Sequence, residues 1–357
     1  MAAIFADPRL KATSNNGHGV CIEEIEGLIR VYKNGQVERP PAIPIVPCNV
    51  TLNGQVTARD VFINKYINLW ARVYVPSCPA GNLPVLVYFH GGGFCVGSAA
   101  WSCYHEFLAS LAYKAGCVIM SINYRLAPEN RLPAAYEDGL NSLRWLKQQV
   151  LSGSSEHKWW MNQCNFSSLF LAGDSAGANI AYNAATRVAI DNAVIKPLSV
   201  KGIILIQPFF GGESRTVSEK HSTQPANSAL TVSASDAYWR LSLPVGTNRD
   251  HPWCNPLANA TAGLQELRLP SVMVCVSELD ILKDRNLEFS KALAGGGKKV
   301  ETVVYKGVGH AFQILHNSHC YLDCFMSVIL RVSCKILIAF SCRVTRESML
   351  EKYFIFS

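Results

Sequence analysis

Six short apolar runs rich in β-branched residues punctuate the chain: Pro84–Phe89, Cys117–Asn123, Ser168–Ala172, Lys201–Gln207, Ser271–Ser277 and Val300–Tyr305. Runs with so few polar interruptions read as strands covered on both faces. Ser102–Ala115, Ala134–Gln149, Ala176–Asp191 and Lys283–Leu293 lie between them and show helical spacing with few breakers. Strands separated by helices imply a doubly wound, mostly parallel sheet with right-handed crossovers. Two earlier stretches, Leu28–Arg39 with Asn34-Gly35 as a hairpin turn and Arg59–Pro76, alternate in polarity and are expected to add antiparallel edge strands. The central sheet is therefore expected to be mixed.

Residues 209–244 break the alternation, with one helical patch at Ser233–Leu243. Together with residues 1–25 they are expected to cap the carboxyl edge of the sheet, where open α/β sheets bind ligands. At 357 residues, 49% of them hydrophobic and 17% charged, the chain can bury one large core, so a single α/β domain over 1–357 is the economical reading.

A net charge of +7 with no Lys/Arg run argues against nucleic acid or an anionic membrane as partner. Thirteen cysteines without a C-x-x-C pair or zinc spacing read as free thiols in a reducing compartment, and no metal is expected. Residues 1–18 carry Asp7, Arg9 and Lys11 and lack the apolar core of a signal peptide, so a cytoplasmic location is expected. Cys320–Cys342 is apolar, but Asp323, Arg331 and Lys335 interrupt it, and no membrane span is expected.

The sharpest motif is Gly173-Asp174-Ser175-Ala176-Gly177, between the Ser168–Ala172 strand and the helix that follows. In that context G-x-S-x-G is a nucleophile elbow, a tight turn that presents the serine hydroxyl at a helix N-terminus. Alone it could be an ordinary glycine-rich turn. His90-Gly91-Gly92-Gly93-Phe94 follows another strand end. Its glycines can aim backbone N–H groups at one point, so the oxyanion hole is assigned to Gly91, Gly92, Gly93 and Ala176, with Gly92, Gly93 and Ala176 as the leading donors. No G-K-[ST] follows, which argues against a phosphate loop.

The elbow requires an acid and then a histidine later in the chain. Glu278, Asp280 and Asp284 follow one strand and His310 follows the next. Asp284 suits the first turn of the coming helix, leaving Asp280 favoured beside Glu278. His105 lies in a helical stretch, His251 in a Pro-rich turn, and His18, His157 and His221 have no triad context; His316 and His319 come after the His310 loop. Ser175 as nucleophile, His310 as base and Asp280 as orienting acid need no metal or organic cofactor.

With these motifs in place the chain resembles the hormone-sensitive-lipase group of α/β hydrolases, and within it the plant carboxylesterases. Tyr124-Arg125-Leu126-Ala127-Pro128-Glu129, Leu132-Pro133-Ala134-Ala135-Tyr136-Glu137-Asp138, Asp250-His251-Pro252 and Asn255-Pro256 carry the likeness from about Ile22 to about Asn317, and around Trp101 to Asn130 it is strongest to the carboxylesterase 17 type. The resemblance implies an α/β-hydrolase fold, a small-molecule ester as substrate and preference for Asp280 over Glu278. A mostly apolar cap points to short-chain or aromatic esters, while the oligomeric state is left open. The same group includes the gibberellin receptor, a binding protein that has lost the triad histidine, whereas Gly309-His310-Ala311-Phe312 keeps it. A cyclase or eliminase acting on a specialised metabolite is a third possibility. After about Asn317 the likeness ends, and residues 320–357 lack the polar face of the family's last helix, as a tail from an alternative exon or retained intron would.

Overall fold

The computed structural model describes residues 19–48, 54–77, 81–153, 155–221, 228–258 and 263–315 of the chain. The Cys320–Cys342 stretch, the 320–357 tail, His18, His316, His319 and residues 1–18 of the N-terminal cap segment lie outside them. Among the described residues, no helix is long and apolar enough to cross a membrane, and the eight cysteines are free thiols.

Three short strands, β1 (Cys21–Ile25), β2 (Ile29–Tyr32) and β3 (Val37–Glu38), form a small antiparallel sheet in that order. The Asn34-Gly35 turn joins β2 to β3: Gly35 adopts φ 86° and the Asn34 side chain accepts the Gln36 N–H at 3.0 Å. The hairpin does not extend the central sheet, which corrects the expectation for Leu28–Arg39. The tight turn closed by Leu28 N–H on Ile25 O folds β1 onto the free side of β2, so both edges of β2 are satisfied within the small sheet.

The central sheet has eight strands: β4 (Val56–Asn64), β5 (Leu69–Pro76), β6 (Leu83–Phe89), β7 (Val118–Asn123), β8 (Cys164–Asp174), β9 (Val200–Ile206), β10 (Ser271–Ser277) and β11 (Val300–Tyr305). Their order is β11-β10-β9-β8-β6-β7-β5-β4. From β11 to β7 all neighbours are parallel, and β5 and β4 continue the sheet antiparallel. Chain direction across the sheet reverses around β6, whose neighbours β7 and β8 both follow it in sequence. Such a switch point opens a crevice at the carboxyl ends of the strands, and both glycine motifs fall there.

Burial explains the apolar runs of β6 to β10, whereas β11, at the sheet edge, leaves Glu301, Thr302 and Val304 exposed, which corrects the expectation that Val300–Tyr305 is covered on both faces. Val85, Val87, Val118, Met120, Leu171, Leu205 and Val274 have no appreciable exposure. The Ala176–Ile190 helix lies against β6, β8 and β9 with the Ala134–Ser152 helix beside it, while Ser102–Ala115 covers β5 and β7 and Lys283–Gly295 covers β10 and β11. Ala178, Ala181, Ala184 and Ala185 form the buried face of Ala176–Ile190, and side chains this small let its backbone come close to the sheet.

After β9 the chain runs without long regular structure to a short helix, Val217–His221, and then to the helix Val232–Ser242, whose first turn is capped by Thr231 Oγ1 accepting Ala234 N–H at 3.2 Å. Trp239 of that helix is fully buried, stacked on Phe209 with ring centroids 4.6 Å apart and tilted against Phe94. Arg240 pairs with both carboxylate oxygens of Glu23 in β1 at 2.9 Å, so the inserted helix also meets the N-terminal sheet.

Candidate active site

β8 ends at Asp174, and Ser175 turns the chain into the Ala176–Ile190 helix with φ 52° and ψ −120°. A non-glycine residue in this region costs on the order of 1–3 kcal/mol and persists only when its surroundings hold it. Ser175 N–H donates to Ile206 O at 2.8 Å and Phe209 N–H donates to Ser175 O at 3.0 Å, both on the neighbouring strand end. A Cβ on Gly177 would lie 1.9 Å from Phe89 O. Only a residue without a side chain lets the helix begin against the end of β6.

His310 Nε2 lies 2.9 Å from Ser175 Oγ, and His310 Nδ1 lies 2.7 Å from Asp280 Oδ2. A carboxylate only accepts, so the proton sits on Nδ1 and Nε2 is left to accept from the serine hydroxyl. The other Asp280 oxygen accepts Leu282 N–H at 3.0 Å, just before the Lys283–Gly295 helix, which fixes the carboxylate plane. Ser175, Asp280 and His310 are all buried, a setting that strengthens each of these bonds. The rival acids are engaged elsewhere: Glu278 accepts Gly307 N–H at 2.8 Å and Asp284 accepts Ser218 N–H at 2.7 Å.

The His90–Phe94 loop crosses in front of the elbow. Gly91 does not serve as expected, because its N–H already donates to Tyr104 Oη at 2.7 Å and to Asp174 Oδ1 at 3.1 Å. No hydrogen bond among the described residues engages the N–H of Gly92, Gly93 or Ala176. Side chains are excluded at both loop positions, since a Cβ on Gly92 would meet Val96 O at 2.1 Å and one on Gly93 would meet the Tyr238 ring at 2.2 Å. His90 shapes the loop: Nδ1–H donates to Gly91 O at 2.8 Å and the ring stacks on Tyr124 with centroids 4.3 Å apart. Burial lowers its pKa to about 4, so the ring is neutral.

Asp174 is the feature that the sequence reading passed over. Its buried carboxylate accepts the Tyr88 hydroxyl at 2.7 Å and the Tyr104 hydroxyl at 2.9 Å as well as Gly91 N–H, tying the elbow to the glycine loop. Burial raises its pKa to about 6, against the lowering effect of both phenols and of His310. A charged residue closing an otherwise apolar strand was the available signal, since a buried carboxylate must find donors.

A cleft of about 190 Å³ is bounded in part by Phe210, Gly211, Asn255, Leu257, Arg285 and Phe289, and neither Ser175 nor His310 lines it. The polar constellation around Ser175 is separate from this cleft. Among the described residues, no group of three or more His, Cys, Asp or Glu side chains is arranged to hold a metal ion.

A family profile described as the alpha/beta hydrolase fold matches residues 86–314. The chain is also 46% identical over 327 residues to "Probable carboxylesterase 6" of Arabidopsis thaliana, an alignment covering 88% of this chain and 94% of that relative. The chain belongs to the plant carboxylesterase family of α/β hydrolases. It is 35% identical over 302 residues to "2-hydroxyisoflavanone dehydratase" of Glycyrrhiza echinata, with 82% and 90% of the two chains covered. Among solved structures, a Pyrobaculum calidifontis esterase superposes with a TM-score of 0.65 at 27% identity, covering 84% of this chain and 87% of that one.

The remaining plant carboxylesterase motifs are ties around the site. Arg125 grips the fully buried Asp138 through its side chain and its main-chain N–H, at 2.7 to 3.1 Å. Tyr124 Oη donates to His90 O at 2.8 Å. Tyr136 Oη donates to Asn179 Oδ1 at 2.8 Å, and the Asn179 amide donates at 2.9 Å to both Phe209 O and Trp253 O. Asp250 Oδ1 accepts Glu213 N–H and the Asn255 amide, pinning the loop that follows the inserted segment.

Proposed function

We propose that the protein hydrolyses small carboxylic esters through an acyl-enzyme on Ser175. The observation that carries the reading is the unbroken chain Ser175 Oγ, His310, Asp280, with bonds of 2.9 and 2.7 Å. His310 Nε2 takes the hydroxyl proton as Ser175 Oγ attacks the ester carbonyl, and Asp280 stabilises the imidazolium that forms. The oxyanion is received by the N–H groups of Gly92, Gly93 and Ala176, each worth about 10²–10³ in rate for donors of this kind. His310 returns the proton to the leaving alkoxide. Water, deprotonated by the same histidine, then attacks the acyl carbonyl and releases the acid.

A receptor-like binding protein has no need of a base hydrogen-bonded to its serine, so the retained and engaged His310 favours turnover. Residues 1–25 and 209–244 act as the cap in this reading, supported by Tyr238 against Gly93 and by the Glu23–Arg240 pair. The aromatic cluster of Phe209, Tyr238 and Trp239, packed beside the Gly93 and Ser175 loops, supports short-chain or aromatic esters. A reducing, cytoplasmic setting is part of the proposal, supported by the free thiols.

Hydrolysis of p-nitrophenyl butyrate and labelling by a fluorophosphonate probe, compared between wild type and Ser175→Ala, test it. Both activities vanish in the variant if the reading is right. A folded wild type that neither turns over nor labels would overturn it, and elimination that survives Ser175→Ala would move the assignment to the dehydratase type.

A further inference from the structure

Gln207 immediately follows β9, at the meeting point of the three loops that carry Ser175, Asp280 and His310. It is fully buried and holds a left-handed backbone at φ 47°. Its main-chain N–H donates to Cys275 O on β10 at 2.8 Å. Its side-chain Oε1 accepts Ala311 N–H at 2.7 Å, while Nε2 donates to Gly309 O at 3.4 Å and to Ser277 Oγ. Gly309 and Ala311 are the two neighbours of His310, and Ser277 stands three residues before Asp280. The residues on either side of the Gln207-Pro208 pair anchor Ser175: Ile206 O accepts its N–H and Phe209 N–H donates to its carbonyl.

A primary amide offers a neutral donor and a neutral acceptor side by side, so it can hold an N–H and a carbonyl on opposite sides of one residue. Ala311 adopts φ 59°, a conformation that a non-glycine residue keeps only under outside restraint. The Gln207 amide is such a restraint on both flanks of His310.

Resting on the carboxylesterase reading above, we infer that Gln207 is a positioning residue for His310. Through Gly309 and Ala311 it sets the imidazole so that Nε2 points at Ser175 Oγ while Nδ1 stays on Asp280. Without the amide, the His310 loop is free to relax its strained backbone, and a displacement of about 1 Å at a catalytic base costs roughly 10²-fold in rate. The Ser277 bond transmits the same restraint to the turn that carries Asp280.

Two variants test this. Gln207→Met removes all three side-chain polar contacts at nearly constant volume, and Gln207→Asn keeps the amide but withdraws it by about 1.5 Å, one carbon–carbon bond. Each is compared with wild type for melting temperature, for kcat and KM on p-nitrophenyl butyrate, for fluorophosphonate inactivation rate, and for the pH profile of kcat/KM. The expected result is folded protein with KM within about twofold, and kcat and inactivation rate both lowered roughly 10²-fold in Gln207→Met and less in Gln207→Asn. The pH profile of kcat/KM should also change, because a displaced imidazole is less well held by Asp280. If Gln207→Met does not fold, Gln207→Asn decides alone. Folded variants with wild-type kcat and an unmoved pH profile overturn the inference. A wild type that fails to turn over or label removes the carboxylesterase reading itself, a result recognisable before any variant is made.

Discussion

Replacing Asp174 by Asn should expose a pH dependence of stability that is masked in the wild type. The Asp174 carboxylate is fully buried under the glycine loop and, mainly through that burial, titrates at about 6 instead of the ordinary 3.8. A carboxyl raised in this way binds its proton more tightly in the folded chain. Its contribution is fully present below 3.8 and is lost as pH rises through 6, a change of about 3 kcal/mol. His90 slopes the other way. Burial lowers it from 6.5 to about 4, so its contribution is present above 6.5 and is lost as pH falls toward 4, again by about 3 kcal/mol. The two nearly cancel in the wild type, whereas Asp174→Asn keeps only the His90 slope. Urea unfolding followed by tryptophan fluorescence, from about pH 7 down to about pH 4, measures both proteins, and groups common to them drop out of the difference. Over this range the difference in unfolding free energy should shift in favour of the wild type by about 2 kcal/mol on acidification, centred between the two carboxyl values. A difference that stays constant with pH would refute the account of Asp174 as a buried, desolvated acid.

Two substitutions probe the site directly. Gly177→Ala places a Cβ 1.9 Å from Phe89 O and 2.6 Å from His90 O. Because both are backbone atoms that cannot rotate away, the cost should exceed about 4 kcal/mol and abolish soluble expression, whereas a soluble variant melting like the wild type would contradict the elbow packing. Asp280→Asn keeps the bond from Leu282 N–H but presents the imidazole with either a donor or a neutral acceptor, so kcat on p-nitrophenyl butyrate should fall by about 10³–10⁴ with KM little changed; activity within tenfold of wild type would remove Asp280 from the mechanism.

Much of the site was legible because its requirements are local or chemical. The helix Ser102–Ala115 and the strand Ser271–Ser277 have the bounds that their apolar periodicity implies, and a strand covered on both faces cannot tolerate polar interruption; Val300–Tyr305 also has its expected bounds, but as the edge strand it leaves Glu301, Thr302 and Val304 exposed. Gly173 and Gly177 mark a backbone approach that no other residue permits, and their spacing around Ser175 shows it in one line of sequence. The succession of serine, acid and histidine after successive strands follows from a parallel sheet that delivers every such loop to one edge.

The alternation that makes an α/β sheet, the elbow, the glycine loop and the residue types that must meet at the strand ends can all be read along the chain. How those parts are partnered depends on the packed fold. Gly91, Gly92 and Gly93 look equivalent along the chain, yet Tyr104, thirteen residues on, and Asp174, eighty-three residues on, occupy the Gly91 N–H alone. The Asn34-Gly35 hairpin is visible locally, but its membership of a separate sheet depends on β1 reaching β2 first. Gln207 looks like an ordinary polar residue at a strand end until β10 and the His310 loop are placed around it. Local periodicity is set by the repeat of the chain, whereas the choice among hydrogen-bond partners is made by whichever distant groups the packed sheet brings within about 3 Å.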